Sequence, residues 1–549
     1  MVSVMASLFL VALDQTIIAT ALGKIVEDFN SFSSLSWIVT AYLITTTMTV
    51  PIAGKLSDIF GRRNILLIGV AIFVVASLMS GLSGNITELI IWRAVQGIGG
   101  GIITANAFTI VGDLFEARER GRWQGLIGAV FGLASVVGPL LGGWLTDGQA
   151  FFGLTTDWRW TFFINVPIGI VAFIMIAIYT PALKHLKKAK IDYAGAALLS
   201  VALATLILAV DNTDMIFADL LSATGMSLLA LRIVMFGIVA LATAGFIYVE
   251  HKASEPILPL KFFKNRNYVT VLIIATMFGA AFMGSILYLT QFNQQVFGAS
   301  PTDSGLMLLP MVAGIMVSSI ASGQIISRTG RYKIFMQVGF IVATGAMIAL
   351  AFLSPEHTYT YEAVVMVILG LGMGVAMPVL NLAIQNEVEQ KDLGVATSSS
   401  QLFRSLGSTI GTAVFGAMLT AGILTQVPAM QSTAYIKALE QSEQAAKIGD
   451  FSSPDTLLRL NMPDTKAQIS SAAQAQFDAL PAPYSQQASD AFRANQEEFA
   501  SKVTHAYSDS LQRIFIVASS LIGLSAVLVF TLKEKRLKSS KATVTPGEM

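Results

Sequence analysis

The 549-residue sequence has no cysteine, so it has no disulfide, no thiolate metal site and no thiol nucleophile. Charge is scarce: Asp, Glu, Lys and Arg make up 13% of the chain, against about 25% in a soluble globular domain. The four histidines are scattered without ligand spacing and offer no metal centre. A formal net charge of +1 gives no electrostatic footprint for nucleic acid. No GxxxxGK[ST] loop occurs, so ATP is not the energy source, and neither a cofactor nor an enzymatic reaction is expected. No cleavable secretory signal is visible. The first apolar run starts almost at Met1, as if a short leader were missing or trimmed.

What the chain does have is apolar length. Hydrophobic residues are 54% of it and its mean hydropathy is +0.67. Crossing a bilayer as a helix takes about 20 mostly apolar residues. Such windows fall near 4–22, 37–56, 64–83, 87–111, 123–145, 160–180, 194–211, 227–249, 268–291, 304–326, 333–353, 362–385, 395–421 and 511–532. The pattern predicts an all-α polytopic membrane protein with fourteen spans and both ends on one side.

Basic residues choose the side. Arg62 and Arg63; Arg118, Arg120 and Arg122; Lys184, Lys187, Lys188 and Lys190; Lys252, Lys261, Lys264 and Arg266; Arg328, Arg331 and Lys333; and the tail KEKRLK all fall in alternate loops. Those loops, and both termini, are expected to be cytoplasmic. Opposite loops carry Asp211, Asp214 and Asp219 instead. One opposite-side segment, 423–509, is long and rich in Ala, Gln and Ser. It reads as a soluble, partly ordered decoration with short amphipathic helices, or as a lid or a docking element for a periplasmic adaptor protein.

Two parts of the chain echo each other, as in transporters built from repeats. GKLSDIFGRRN (54–64) matches GQIISRTGRYK (323–333), and QGIGGGI (96–102) matches LGLGMGV (369–375). Asp58 aligns with Ser327 and Arg93 with Met366. The division that follows is a six-helix half over 1–180, two additional spans over 181–267, a second six-helix half over 268–533 including the long loop, and a tail over 534–549.

Ionisable groups inside spans are expensive and mark function. Asp14 sits in LFLVALDQTIIATAL, and Arg93 in the apolar part of span four. A guanidinium keeps its charge and must face a carboxylate, carbonyls or water; Asp14, as a cavity carboxylate, is the leading candidate partner. Asp58, Arg62 and Arg63 can form a charge network, with Asp113 as a plausible further member. Small residues at Gly138, Gly142 and Gly143 give span five a flat packing face, and Pro139 allows a kink. Arg404, in span thirteen where the repeat has Phe131, reads as a second cavity charge or a carbonyl binder. Asn106, Gln291, Asn381 and Gln401 are candidate polar lining of a substrate cavity between the halves. Asp303 is expected to cap a helix and Glu362 to sit in a first turn.

LDQTIIATAL, GKLSDIFGRR, RAVQGIGGG, GLASVVGPLLGGW and WRWTFFINVPIG, in this order, carry a resemblance that covers nearly the whole chain. It is similar to the major facilitator superfamily, and within it to the fourteen-span drug:proton antiporters (EmrB/QacA type). Ala134 stands where that family has glycine. The resemblance implies the major facilitator fold, with two six-helix halves plus two inserted helices. It implies a latch between the halves at Gly54, Asp58, Gly61, Arg62, Arg63 and Asp113, proton coupling at Asp14 and Arg93, and an antiporter motif at Gly138, Pro139, Gly142 and Gly143. The expected activity is proton-driven export of lipophilic or cationic drugs across a bacterial plasma (inner) membrane, by a monomer. A dedicated exporter of one metabolite, antibiotic, siderophore or lipid would carry the same motifs, and an uptake symporter would share the fold.

Overall fold

The computed structural model describes residues 1–29, 35–146, 148, 150–151, 154–181, 191–210, 213–442, 448–461, 463–479, 481 and 484–537. Lys184, Lys187, Lys188, Lys190, Asp211 and Lys538 lie outside the described residues. The membrane helices are α1 (Val2–Phe29), α2 (Leu35–Phe60), α3 (Arg62–Gly81), α4 (Ile86–Leu114), α5 (Ala117–Thr146), α6 (Trp160–Tyr179) and α7 (Tyr193–Val210). They continue with α8 (Leu228–Lys252), α9 (Arg266–Gln295), α10 (Leu309–Thr329), α11 (Lys333–Leu350), α12 (Tyr359–Gln385), α13 (Leu393–Leu424) and α14 (Tyr484–Thr531). Among the described residues thirteen helices are long and apolar enough to cross a membrane, and α1 carries a shorter apolar stretch over Val2–Ile18. The exception to the all-helical pattern is a hairpin pairing Ala150–Phe151 with Leu154–Thr155. Helix is the expected solution, because hydrocarbon offers no water to backbone groups.

The packing repeats. In the first half α2 and α3 lie on α4, α1 lies on α5, and α3 lies on α6. In the second half α10 and α11 lie on α12, α9 lies on α13, and α11 lies on α14. The repeat extends to single glycines. A Cβ on Gly99 would stand 2.7 Å from the carbonyl oxygen of Gly69, and one on the matching Gly372 would stand 2.7 Å from that of Gly339. Gly61 (φ 89°) and Gly330 (φ 70°) take the same left-handed turn between their helices, a conformation open to glycine at little cost.

The halves meet along α5 against α10 and along α2 against α13. The inserted pair, α7 and α8, packs over the second seam. Leu199 and Leu203 of α7 and Phe246 of α8 cluster with Met48 and Ile52 of α2 and Leu402 and Leu406 of α13. Helix α8 is peripheral, and its Leu241 is 76% exposed, as a lipid-facing side chain would be. At the end bearing the basic loops (the basic end), residues 533–537 tie the halves together. Leu537 N donates to Gly330 O (3.1 Å), and Arg118 Nε donates to Leu537 O (3.4 Å).

The segment 423–509 is more ordered than the sequence suggests. Short helices Val427–Gln431, Ala434–Glu440 and Pro463–Phe477 pack against α14, and Pro454–Leu460 packs against α13 and Pro463–Phe477. That helix starts at Tyr484 rather than near 511, so about 40 Å of it, at 1.5 Å per residue, stands beyond the span. Tyr435, Phe492 and Phe499 form an aromatic centre with ring centroids 5.3 and 5.6 Å from Tyr435. Asn461 docks the layer on the end of α9 through Gln295 O (3.2 Å). The apolar positions of these helices were hidden by their polar composition, which is why partial order is the natural reading of sequence alone.

Replacing Gly370 by valine tests the helix contacts. A Cβ there would run into the Met311 carbonyl of α10, and overpacking of this kind costs about 1–3 kcal/mol. The midpoint of thermal unfolding in detergent should fall; an unchanged midpoint would mean that α10 and α12 separate freely.

Candidate functional site

The first half encloses the ion pair between Asp14 and Arg93. Asp14 is on α1 and Arg93 is on α4, two turns past the cap where Asn85 Oδ1 accepts from Glu88 N (2.9 Å). Arg93 Nη1 donates to Asp14 Oδ2 (2.7 Å), and both side chains are 1% exposed. Gln96 Nε2 donates to Asp14 Oδ1 (2.8 Å), and Asn165 Nδ2 donates to the same oxygen (2.9 Å). Arg93 also donates to Gln96 Oε1 (2.8 Å) and Ile38 O (3.4 Å), and its guanidinium lies 4.3 Å from the Tyr42 ring centre. The carboxylate thus has three donors and the guanidinium has acceptors and an aromatic face. Such satisfaction is what makes a buried pair tolerable, and losing one partner costs about 3–5 kcal/mol.

Gln96 and Asn165 were not singled out from the sequence, although both lie inside quoted motifs. The WRWTFFINVP stretch explains Asn165. Trp158 Nε1 donates to Asp28 (3.1 Å), and Arg159 Nη1 donates to the carbonyls of Gly81 (3.0 Å) and Ser83 (2.7 Å) at the end of α3. Ser77 of α3 donates to Phe162 O (2.9 Å) and accepts from Asn165 (3.0 Å). The motif therefore pins α6 to α3 and aims Asn165 at Asp14. One expectation needs correcting: Asp14 does not line a cavity here. Its donors and the Tyr42 ring enclose it within the half.

The span-five motif touches this network from behind. A Cβ on Gly138 would run into Thr16 Oγ1, and one on Gly142 into Thr20 Oγ1, the residues just after Asp14. Thr16 Oγ1 donates to Ala134 O (3.0 Å). Gly143 is buried beside them. Pro139, from the same helix, stands 3.3 Å from the Cβ position of Gly305 in the second half. Nearer the basic end, Ser319 Oγ of α10 donates to Gly125 O (2.9 Å). Helix α5 is thus in contact with the Asp14 segment on one face and the other half on another.

Asp58, Arg62 and Asp113, expected to form a latch, come together at the basic end. Arg62 Nε donates to Asp113 Oδ2 (2.7 Å), and its other nitrogens reach Asp58, Ser57 and Gly54 O. Arg63 takes no part; it donates to Ala177 O of α6. The cluster faces the second half directly, since a Cβ on Gly394 would stand 2.5 Å from Asp58 Oδ1. Gly54 likewise abuts Ser398 of α13, so its missing side chain is a condition of closure. Gln124 of α5 donates to Gln385 of α12 (3.0 Å), and Gln385 donates to Phe108 O (3.2 Å). The linker after α8 joins in: Lys55 pairs with Glu255 (2.6 Å) and Lys261 with Asp392 (3.5 Å), around a 620 Å³ cleft.

In the second half Asn381, Gln401 and Arg404 come together. Gln401 Nε2 donates to Asn381 Oδ1 (3.3 Å), and Arg404 donates to Gln401 Oε1. Asn106 and Gln291 do not join them. Asn106 is buried with its Nδ2 on Ile102 O (2.8 Å), and Gln291 accepts from Tyr507 of α14 (2.6 Å) beneath the outer helices. Asp303 is not the cap of its helix; Ser300 is, accepting from Asp303 N (3.0 Å). Glu362 is fully buried in its first turn, and the Asn293 amide faces its two oxygens at 2.8 and 3.0 Å. Among the described residues no group of three or more His, Asp or Glu side chains could hold a metal ion.

Comparison with known proteins agrees with this architecture. A family model described as Major Facilitator Superfamily matches residues 4–412. The chain is 36% identical to the "Multidrug transporter protein MdtP" of Bacillus subtilis (strain 168) over 542 residues, covering 98% of this chain and 93% of that protein. It is 32% identical to "Multidrug resistance protein 3" of the same organism, with 96% and 94% covered. Among solved structures, the human organic anion transporter MFSD10 shares the fold with a TM-score of 0.58 at 15% identity, covering 76% of this chain and 92% of that one. A bacterial homologue of the human lysosomal transporter Spinster matches with a TM-score of 0.53 at 14% identity, covering 97% and 95%.

The latch can be read by cross-linking, because the chain has no cysteine of its own. Cysteines at positions 124 and 385 should be joined efficiently by a short bismaleimide. Adding Arg62→Ala leaves Asp58 and Asp113 unpaired and should lower the yield several-fold. An unchanged yield would show that these ion pairs do not hold the seam.

Proposed function

This chain belongs to the Major Facilitator Superfamily, and we propose that it is a proton-coupled antiporter that exports lipophilic, often cationic, compounds from bacteria. The observation that carries the reading is the enclosed Asp14–Arg93 pair with its Gln96 and Asn165 donors. The names of the two Bacillus relatives support multidrug export. In this reading the protein lies in the plasma (inner) membrane as a monomer, the basic end and both termini are cytoplasmic, and the closed seam at that end makes this the outward-facing state.

A proton reaching Asp14 removes the charge that Arg93, Gln96 and Asn165 converge on. The guanidinium is then left with Gln96 Oε1, the Ile38 carbonyl and the Tyr42 ring. Any shift of α1 at Thr16 and Thr20 meets the glycine face of α5, whose other contacts run to the second half. That is a mechanical route from proton to seam. The magnitudes are compatible. One charge crossing 100 mV contributes about 2.3 kcal/mol, of the same order as the about 3–5 kcal/mol for stripping a buried pair of one partner.

The cycle then runs as exchange. With the cytoplasmic seam open, a lipophilic compound enters between the halves. The halves rock, Arg62 closes on Asp58 and Asp113, and the compound leaves on the outer side. Proton binding at Asp14 favours the return. Because Asp14 is sealed off in the closed state, its competition with substrate works through the conformational equilibrium rather than through direct contact.

Asp14→Asn should be made and inserted normally but show less than about a tenth of wild-type proton-driven dye transport in everted vesicles, as expected for loss of more than 1.4 kcal/mol of coupling. Full transport by that variant would remove Asp14 from the coupling role. In the same vesicles, unrelated dyes should inhibit one another's transport. Inhibition confined to one chemical type would mark a dedicated exporter instead.

A further inference from the structure

We propose that Arg404 anchors an anion-recognising subsite in the second half, which takes a carboxylate carried on a lipophilic substrate. The proposal rests on the exporter reading and narrows its cargo to lipophilic compounds that carry a carboxylate, zwitterions included.

The three buried or half-buried arginines in question differ in their company. Arg62 has two carboxylates and Arg93 has one. Arg404 has no carboxylate within 4 Å among the described residues. Its one side-chain partner is the carbonyl oxygen of Gln401. A guanidinium presents five N–H donors and keeps its charge. None of the nitrogens of Arg404 is both sealed off and unpartnered, so its free donors open onto accessible space.

Arg404 is half-buried in the middle part of α13. Arg404 stands about 16 Å along the helix from Leu393. Its backbone is pinned on α9, where Gly279 abuts Arg404 O and Ser408 Oγ donates to Gly279 O (3.1 Å). Its side chain runs toward Gln401, which lies half a turn around α13 from the exposed Ile410. Gln401 in turn is oriented by Asn381 of α12, whose Nδ2 is committed to Met377 O (3.2 Å). The amide chain thus fixes Gln401 Oε1 on one edge of the guanidinium and leaves the other edge for a ligand.

Charge bookkeeping points the same way. Asp14 is already matched by Arg93 inside the first half. Glu362, a buried acid of the second half, sits about 28 Å along α12 from Asn381, and Glu387, just past α12 at the basic end, is paired with Lys535. The unmatched charge beside the middle part of α13 is therefore positive. Across the repeat, the position of Arg404 is held by Phe131, whose ring stacks on Phe108 (6.5 Å between centroids). One half offers an aromatic surface and the other a planar cation. A flat apolar body with a carboxylate at one end, including a zwitterion, meets both; a purely cationic compound meets a like charge.

The test uses 1-pyrenebutyric acid and its methyl ester, which share an apolar body and differ in charge. Binding to the purified full chain is followed by fluorescence in phosphatidylcholine nanodiscs. Wild type should bind the acid at least threefold more tightly than the ester. Arg404→Gln should weaken the acid at least tenfold and the ester less than twofold, and Arg404→Lys, a charge without the planar fork, should fall between. The proposal is overturned if wild type does not prefer the acid, or if Arg404→Gln weakens acid and ester alike. It is also overturned if phosphatidylglycerol nanodiscs abolish the acid preference, which would assign the guanidinium to a lipid phosphate. Proton-driven transport of a neutral dye by Arg404→Gln in everted vesicles is scored separately. Its presence with loss of acid preference supports the subsite, whereas no dye transport by wild type would defeat the exporter reading irrespective of the binding result.

Discussion

A carboxylate and a guanidinium sealed inside a six-helix bundle set the terms for the rest of the first half. Neither can be left alone in hydrocarbon, and the pair is tolerable only when its remaining donors and acceptors are met. Asp14 and Arg93 therefore require Gln96 one turn along α4 and Asn165 from α6. Asn165 in turn requires the start of α6 to be held in place: Arg159 ties it to the end of α3, and Trp158 ties it to Asp28 of α1. Motifs that look separate along the chain are thus parts of one electrostatic problem, solved by five helices, with α2 supplying Ile38 O and the Tyr42 ring.

The same logic governs the seam. Arg62 reads two carboxylates of its own half, and that cluster lies against the first turn of α13 in the other. Positive helix ends favour negative neighbours, so Asp58 is well placed only while the halves are together. Between the two charge clusters runs α5. Its glycines let α1 and α10 approach closely enough that displacement of one is felt by the other. Small residues here act by what they omit: a methyl group at Gly138 or Gly125 would separate surfaces that lie in contact.

Much of this was legible in advance because membranes make sequence simple. Apolar length located the spans, and paired glycines such as Gly99 and Gly372 marked the repeat. Asp14, Arg93, Asp58, Arg62 and Asp113 were visible because charge within or beside a span is rare. Their neutral partners were not. Gln96 and Asn165 have no periodic or compositional signature, and Asn165 is 151 positions from Asp14. Gln291 looked like cavity lining, yet it serves Tyr507, because the helix carrying Tyr507 extends far past the membrane. Asp303 looked like a cap, yet the shorter Ser300 hydroxyl has the better reach to the helix amides. For Gln96, Asn165 and Gln291 the missing information was tertiary, namely which group from another helix stands beside them, whereas the Ser300 cap is local, three residues from the amide it serves.

The unbroken run of α14 from Tyr484 to Thr531 has a consequence for how the outer layer can behave. The short helices of 427–477 are glued along its protruding shaft, to α13 and to the rim of α9, all belonging to one half. Among the described residues, this canopy rests on the mast and on the helices beside it. When the two bundles tilt, it must swing with the bundle that bears it, so the mouth on that face is bounded by one stationary and one travelling lip, rather than covered by a flap with its own timing.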